Sequence, residues 1–314
     1  MNMGKKYKIA VLSRSFGKED PTPVNMLESK GYTVALNRND RQVDEDHVIE
    51  LIGDADCAIL GNDLITPKVI DACPNLICIS KQGVGMDRID QEYARSKGIA
   101  VFNTPLANCE SVADHAVLLM MASIRDLKNN IIDSPSPEWG TELSNDLFGK
   151  TVGLIGFGHI GRAVARRLEG FSCRILVSDP YAKAEDFTEG NRSLVSLEEL
   201  LKESDIVSLH LPLTDETRNM INRETIGMMK QSAILVNTSR GGLIEMEAFR
   251  DAIRSERIRG AALDVYIEEP PKNEDILCHP HVIATKHIAT HTSECALRMA
   301  TEAARLADEY LSSL

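Results

Sequence analysis

The nine residues 153–161, GLIGFGHIG, constrain this chain more than any others. Val152, Leu154 and Ile155 form a short apolar run, Gly156, Gly158 and Gly161 break it, and Ile160, Val164, Ala165 and Leu168 continue at helical spacing. The pattern predicts strand, tight turn, helix. In such a turn the first glycine takes a backbone conformation that other residues resist. The second lets a pyrophosphate approach the main chain, and the third lets helix pack on strand. The unpaired N–H groups and the positive end of the helix then face the phosphates. GxGxxG alone also occurs in ordinary Gly-rich turns. Here a second predicted strand, 174–178, ends in Asp179, 18 residues past Gly161, where a carboxylate can accept hydrogen bonds from both ribose hydroxyls of an adenosine. Together the two signals predict dinucleotide binding, and an anion that repels a 2′-phosphate favours NAD over NADP.

The rest of the chain alternates in the same way. Residues 8–12, 33–36, 57–60, 76–80 and 99–102 read as strands, and 24–30, 46–52, 67–72 and 89–97 as helices between them, which predicts a parallel α/β sheet. Residues 103–126 read as one long helix, with Ser111 and Asp114 at capping-box spacing and Val112, Ala116, Leu119 and Ser123 on one face. A segment with Pro135, Pro137, Trp139 and Gly140 follows, read either as a hinge into a second domain or as a surface loop. From residue 151 a second series runs on, with helices at 197–203, 223–229 and 246–255 and strands at 206–211, 233–238, 260–265 and 282–285. A last helix, 293–314, could return to the first half. Two similar α/β halves place a ligand cleft at the strand ends between them.

With 35 basic and 47 acidic residues the net charge is −12, which gives nucleic acid or an anionic membrane no electrostatic footing. No apolar run reaches the length of a membrane span, and the apolar stretch near the N-terminus is too short for a signal peptide. The seven cysteines are scattered and free of CxxC pairs, as expected of reduced thiols in a cytoplasm. Cys278, His279, His281, His287 and His291 cluster in sequence, but HxH and HxxxH across a loop match no closed zinc arrangement, so no metal is expected.

Catalytic groups in open α/β folds sit at the carboxyl ends of strands. Three such ends carry Arg240 in VNTSRGG, Glu269 in DVYIEEP and His287 in ATKHIATHT. Arginine clamps a carboxylate through two parallel hydrogen bonds, histidine exchanges a proton near neutral pH, and a neighbouring glutamate favours its charged form. Singly, each also reads as an ordinary surface or strand residue. Together, beside a redox cofactor, they equip a site for moving a hydride to or from a 2-keto or 2-hydroxy acid. In the first half, Gly83, Val84 and Gly85 follow a strand and could form an anion-binding nest or merely reverse the chain. Lys81 beside them adds a positive charge that suits an acidic or phosphorylated substrate tail.

These motifs resemble the NAD-dependent D-2-hydroxyacid dehydrogenase family, and within it the D-3-phosphoglycerate dehydrogenase-like branch without a regulatory domain. The resemblance runs from GVGMDRID (83–90) through ESVADHA (110–116), LFGKTVGLIGFGHIGRAVA (147–165), HLPLTDETRNMI (210–221), NTSRGGLI (237–244) and ALDVYIEEP (262–270) to KHIATHT (286–292). It implies two Rossmann/flavodoxin-like parallel-sheet domains with an interdomain cleft: 1–102 plus 291–314 for substrate, and 103–290 for NAD. It implies that Arg240, Glu269 and His287 are catalytic and that Gly158, His159 and Ile160, with Gly156 and Gly161, make the pyrophosphate turn. Asp179 takes the ribose, and Thr238 and Asp264 stand on the nicotinamide side. The substrate-carboxylate amides fall on Val84 and Gly85, with Asn108 at the cleft. A homodimer, joined in part through the long helix near residue 111, is implied as well. Two departures bear on the chemistry: Lys286 precedes His287 where the family has proline, and His291 stands where it has a small residue. Lys81 occupies one position that holds phosphate in the branch, while Asn62 and residues 139–143 supply no second base. The different class of reading is an NAD-sensing scaffold, like the corepressors that resemble this family.

Overall fold

Runs such as Cys57–Leu60 and Ile206–Leu209 are buried at every position, which is what a strand covered by helices on both faces requires. The structure, a computed structural model, describes residues 6–38, 44–137, 140, 143–187, 190–272 and 275–314. The chain divides into two compact units, Met1–Asn108 with Thr290–Leu314, and Cys109–Ala289.

In the first unit β1 (Lys8–Val11), α1 (Thr22–Ser29), β2 (Thr33–Leu36), α2 (Glu45–Ile52), β3 (Cys57–Leu60), α3 (Pro67–Ala72), β4 (Cys78–Lys81), α4 (Gln91–Ser96) and β5 (Ala100–Asn103) alternate. The five strands are all parallel in the order β2-β1-β3-β4-β5. The order reverses at β1 and β3, so their carboxyl ends flank a crevice of the kind that binds ligands in open sheets.

The second unit opens with α5 (Cys109–Ile124) and α6 (Leu127–Asp133) and continues with β6 (Thr151–Ile155), α7 (His159–Glu169), β7 (Arg174–Ser178), β8 (Arg192–Leu194), α8 (Leu197–Glu203), β9 (Ile206–Leu209), α9 (Arg223–Met228), β10 (Ile234–Asn237), α10 (Met246–Arg254), β11 (Gly260–Leu263) and β12 (Val282–Ala284). Its seven strands are parallel in the order β12-β11-β10-β9-β6-β7-β8. The reversal falls between β6 and β9, which puts the glycine turn after β6 at the switch point. The last helix, α11 (Ser293–Ser312), belongs to the first unit. Its alanines Ala300, Ala303, Ala304 and Ala307 pack closely over β1, β3 and β4, and the buried Ser80 hydroxyl donates to the Ala303 carbonyl at 2.8 Å.

Several expectations are corrected. The long helix begins at Cys109 rather than at residue 103, because Pro105 lies in the preceding turn. Ser111 is therefore inside the first turn and not a cap, and Asp114 pairs instead with Arg167 at 2.6 Å. The described residues on both sides of the Pro135 to Gly140 segment belong to one unit, so it is not the passage between units; Trp139 lies outside the described residues.

Candidate functional site

The glycine turn after β6 can be tested position by position. Gly156 has φ +96, and a Cβ there would lie 2.4 Å from the His210 carbonyl oxygen. One on Gly161 would lie 2.4 Å from the Gly156 oxygen. Both glycines are thus required by the protein's own packing of α7 and β9 against β6. A Cβ on Gly158 would meet nothing within 4 Å. The fold gives no reason for a glycine at 158, whereas a phosphate that must touch the main chain does. Gly158 is also the N-cap of α7 and makes no side-chain cap bond; the first main-chain bond of the helix is Arg162 N–H to the Gly158 carbonyl at 3.0 Å. The preceding N–H groups, including those of His159 and Ile160, form the positive helix end that suits a pyrophosphate.

Asp179 follows β7 beside this turn and is half-buried. Its two oxygens accept the Phe157 N–H at 2.6 Å and the Tyr181 N–H at 2.7 Å. These main-chain bonds fix the carboxylate in place and leave further lone pairs for ribose hydroxyls. The residues present therefore fit an adenine dinucleotide.

The carboxyl ends of β10, β11 and β12 carry the other groups. Past β10, Asn237 is fully buried and locks the turn: its amide donates to the Arg240 carbonyl at 2.8 Å and its oxygen accepts the Ser239 N–H at 2.9 Å. The Arg240 guanidinium donates to the Ser239 carbonyl at 2.7 Å. Next, Gly241 lies so close to the segment after β11 that a Cβ on it would be 2.1 Å from the Tyr266 carbonyl carbon. That approach ties the arginine turn to the segment bearing Glu269.

Glu269 and His287 meet directly, with Nδ1 of the imidazole 2.7 Å from Oε2 of the carboxylate. Burial raises the Glu269 carboxyl, but the bond and charge of His287, the Tyr266 N–H at 3.1 Å and the Arg240 guanidinium together hold it below its ordinary range. An ionised carboxylate only accepts, so Nδ1 carries a proton and Nε2 is left for chemistry. His287 sits at φ +51, a left-handed conformation that costs a non-glycine residue about 1 kcal/mol or more.

That conformation is held by Asp264, which is fully buried at the end of β11. Its carboxylate accepts from the Thr285 hydroxyl at 2.5 Å, the Ile288 N–H at 2.9 Å and the Ala289 N–H at 2.9 Å. Burial opposes its ionisation, yet His115 and these three donors keep the carboxyl below its usual range. In this geometry Asp264 positions the loop that carries His287. Thr238, by contrast, has a buried hydroxyl without a partner among the described residues, as expected of a group awaiting a ligand.

Two residues escaped the sequence reading. Tyr266 donates its hydroxyl to the Thr285 carbonyl at 2.7 Å and its N–H to Glu269, so it braces Glu269 and the segment leading to His287. His210, at the end of β9, is buried, and burial pushes it down to about 4. Its Nε2 lies 2.9 Å from the Ser208 hydroxyl while its Nδ1 has no partner. The strand predicted over 206–211 included His210, whereas β9 ends at Leu209, so the histidine stands just past it.

In the first unit the Gly83 N–H donates to the Thr104 hydroxyl at 2.9 Å, and Asn103 donates to the Val84 carbonyl at 2.8 Å. The N–H groups of Val84 and Gly85 make no main-chain bond among the described residues, which fits the nest reading of this turn. Asn108 is buried with its side-chain oxygen unpartnered. The Lys81 ammonium donates to the Gly61 carbonyl and, at 3.3 Å, to that of Gln82. Lys286 and His291 are exposed. Among the described residues no three His, Cys, Asp or Glu side chains stand together as metal ligands.

Residues 117–289 match the model of the D-isomer specific 2-hydroxyacid dehydrogenase NAD-binding domain. The chain is 38% identical over 287 residues to a hydroxypyruvate reductase of Thermotoga maritima, covering 88% of this chain and 93% of the relative. It is 37% identical over 292 residues to a glyoxylate reductase of Pyrococcus furiosus, covering 90% and 87%. A D-lactate dehydrogenase of Aquifex aeolicus, solved with NAD and lactic acid, superposes with a TM-score of 0.82 at 28% identity, covering 98% of this chain and 96% of that one. Nothing among these matches supports the scaffold reading. With a glycine turn built for a dinucleotide and a paired histidine and glutamate at neighbouring strand ends, the chain belongs to the D-2-hydroxyacid dehydrogenase family of NAD-dependent oxidoreductases.

Proposed function

We propose that the chain interconverts a small 2-keto acid and its 2-hydroxy acid, with Arg240, Glu269 and His287 as the catalytic groups. The observation that carries this reading is the 2.7 Å contact between His287 and Glu269 at neighbouring strand ends, with Arg240 close enough to act on the same carboxylate. NAD, when bound, supplies or accepts the hydride; Gly156, Gly158, His159, Ile160, Gly161 and Asp179 would hold its adenosine diphosphate part, and Thr238 and Asp264 stand on the nicotinamide side. The Arg240 guanidinium holds the substrate carboxylate by paired hydrogen bonds. In reduction His287 gives a proton from Nε2 to the carbonyl oxygen while Glu269 stabilises the charged imidazole, and in oxidation the same nitrogen takes the proton back. The Val84 and Gly85 amides add to the hold on the carboxylate, with Lys81 and Asn108 beside the substrate.

In this reading Met1–Asn108 with Thr290–Leu314 serves substrate and Cys109–Ala289 serves NAD. The protein is cytoplasmic: its seven cysteines are all free thiols, as in a reducing compartment. No helix among the described residues is long and apolar enough to cross a membrane. The active form is a homodimer. Leu118, Met121, Ile131 and Ile132 on α5 and α6 are 56%, 39%, 62% and 63% exposed, an apolar face that a second copy would cover. The test of function is NADH absorbance with glyoxylate, pyruvate and hydroxypyruvate as acceptors. Turnover of at least one is expected; NADH binding without turnover of any would overturn the proposal.

A further inference from the structure

The first unit has its own switch point, between β1 and β3, and the loop after β3 brings Asp63 to it. Asp63 is half-buried, and its Oδ2 accepts the Gly61 N–H at 2.8 Å. Besides Gly61 and its own N–H, no residue among those described donates to the carboxylate, so lone pairs remain for a further donor at Oδ1. Burial raises this carboxyl above its ordinary range, against the opposing pull of Gly61, Lys81 and Arg14. Lys81 ends the neighbouring β4, in register with Leu60. Its ammonium lies against the Gly83 turn: a Cβ on Gly83 would be 3.2 Å from Nζ. The carboxyl end of the sheet thus presents, across β3 and β4, an acceptor oxygen, an ammonium and the N–H groups of Val84 and Gly85, which make no main-chain bond among the described residues.

The chemistry of that row discriminates between substrate tails. A phosphate there would meet the Asp63 carboxylate as a like charge. A hydroxyl there can donate to Oδ1 of Asp63, which gives that oxygen a partner. We propose that Asp63 is the specificity determinant that selects a 2-keto acid bearing a free hydroxyl on the carbon next to the carbonyl and disfavours the phosphorylated form. This rests on the reading above that the Val84 and Gly85 amides hold the substrate carboxylate. It departs from the expectation that Lys81 serves a phosphorylated tail.

The test is steady-state reduction by the full chain of hydroxypyruvate, pyruvate and 3-phosphohydroxypyruvate, for the wild type and for Asp63→Asn and Asp63→Ala, with thermal melting to show that both variants fold. Wild type is expected to favour hydroxypyruvate over both other acids by about tenfold or more in kcat/KM, the effect of one satisfied charged hydrogen bond. Both variants should narrow the hydroxypyruvate-to-pyruvate ratio by about tenfold, mainly through KM, and raise relative activity on the phosphorylated acid. A wild type that prefers 3-phosphohydroxypyruvate, or variants that leave the ratio unchanged, would overturn this inference alone. Absence of turnover with all three acids would instead overturn the reading of the whole site.

Discussion

At the scale of single residues, the site is a set of charges that fix one another. Glu269 is the clearest case, because burial pushes its carboxyl up while His287, the Tyr266 N–H and Arg240 pull it down further, leaving it below its ordinary value. A carboxyl depressed in the folded state stabilises the fold above its unfolded pKa of about 4.3, and that contribution is lost as pH falls through the folded value. Glu269→Gln should therefore melt below wild type at neutral pH, with the gap closing below about pH 4. Melting curves across that range check this, and a gap that grows in acid would contradict it. The placement of Arg240, Glu269 and His287 past strand ends was legible in the sequence because each follows an apolar run. What Asp264 and Tyr266 do was not legible. Their task is to hold a loop some twenty residues along the chain, 21 for Asp264 to Thr285 and 19 for Tyr266 to Thr285, and only folding brings those groups together. Asp63 was passed over for the same reason: its open oxygen is a fact about neighbours in space.

At the scale of elements, the turn between β6 and α7 separates what the fold needs from what a ligand needs. Gly156→Ala would drive a Cβ into the His210 carbonyl at φ +96, so it should destabilise the chain by about 2 kcal/mol or more. Gly158→Ala meets no protein atom within 4 Å. It should leave the melting temperature nearly unchanged while weakening NADH binding by about tenfold or more, as read by calorimetry and melting on the same samples. Loss of stability in Gly158→Ala with intact binding would contradict this assignment. Strands such as Thr33–Leu36 and Arg174–Ser178 were read to the residue, since apolar alternation or runs there end at clear breaks. β8 was missed because Arg-Ser-Leu is short, polar and at the sheet edge. α6 was missed because LKNNIID has no buried residue and enters through Asp126 at φ +51 with no cap bond.

At the scale of the whole molecule, the two sheets were foreseeable from alternation, and both have a reversal of strand order. A dimer contact through the long helix was an expectation of family resemblance alone, and the exposed apolar face of α5 and α6 was not foreseen, because a surface leucine looks like any other in sequence. Ile131→Asp with Ile132→Asp should convert a dimer to a monomer; light scattering would show the mass halve, and a monomeric wild type would contradict the assembly. The central claim concerns a guanidinium that grips a carboxylate and an imidazole that moves a proton. It is tested most directly by the steady-state kinetics of Arg240→Ala and His287→Ala on the best 2-keto acid. Arg240→Ala should raise KM and lower kcat together, and His287→Ala should lower kcat by about a hundredfold or more with KM little changed. Near-normal kinetics in both variants would contradict the account.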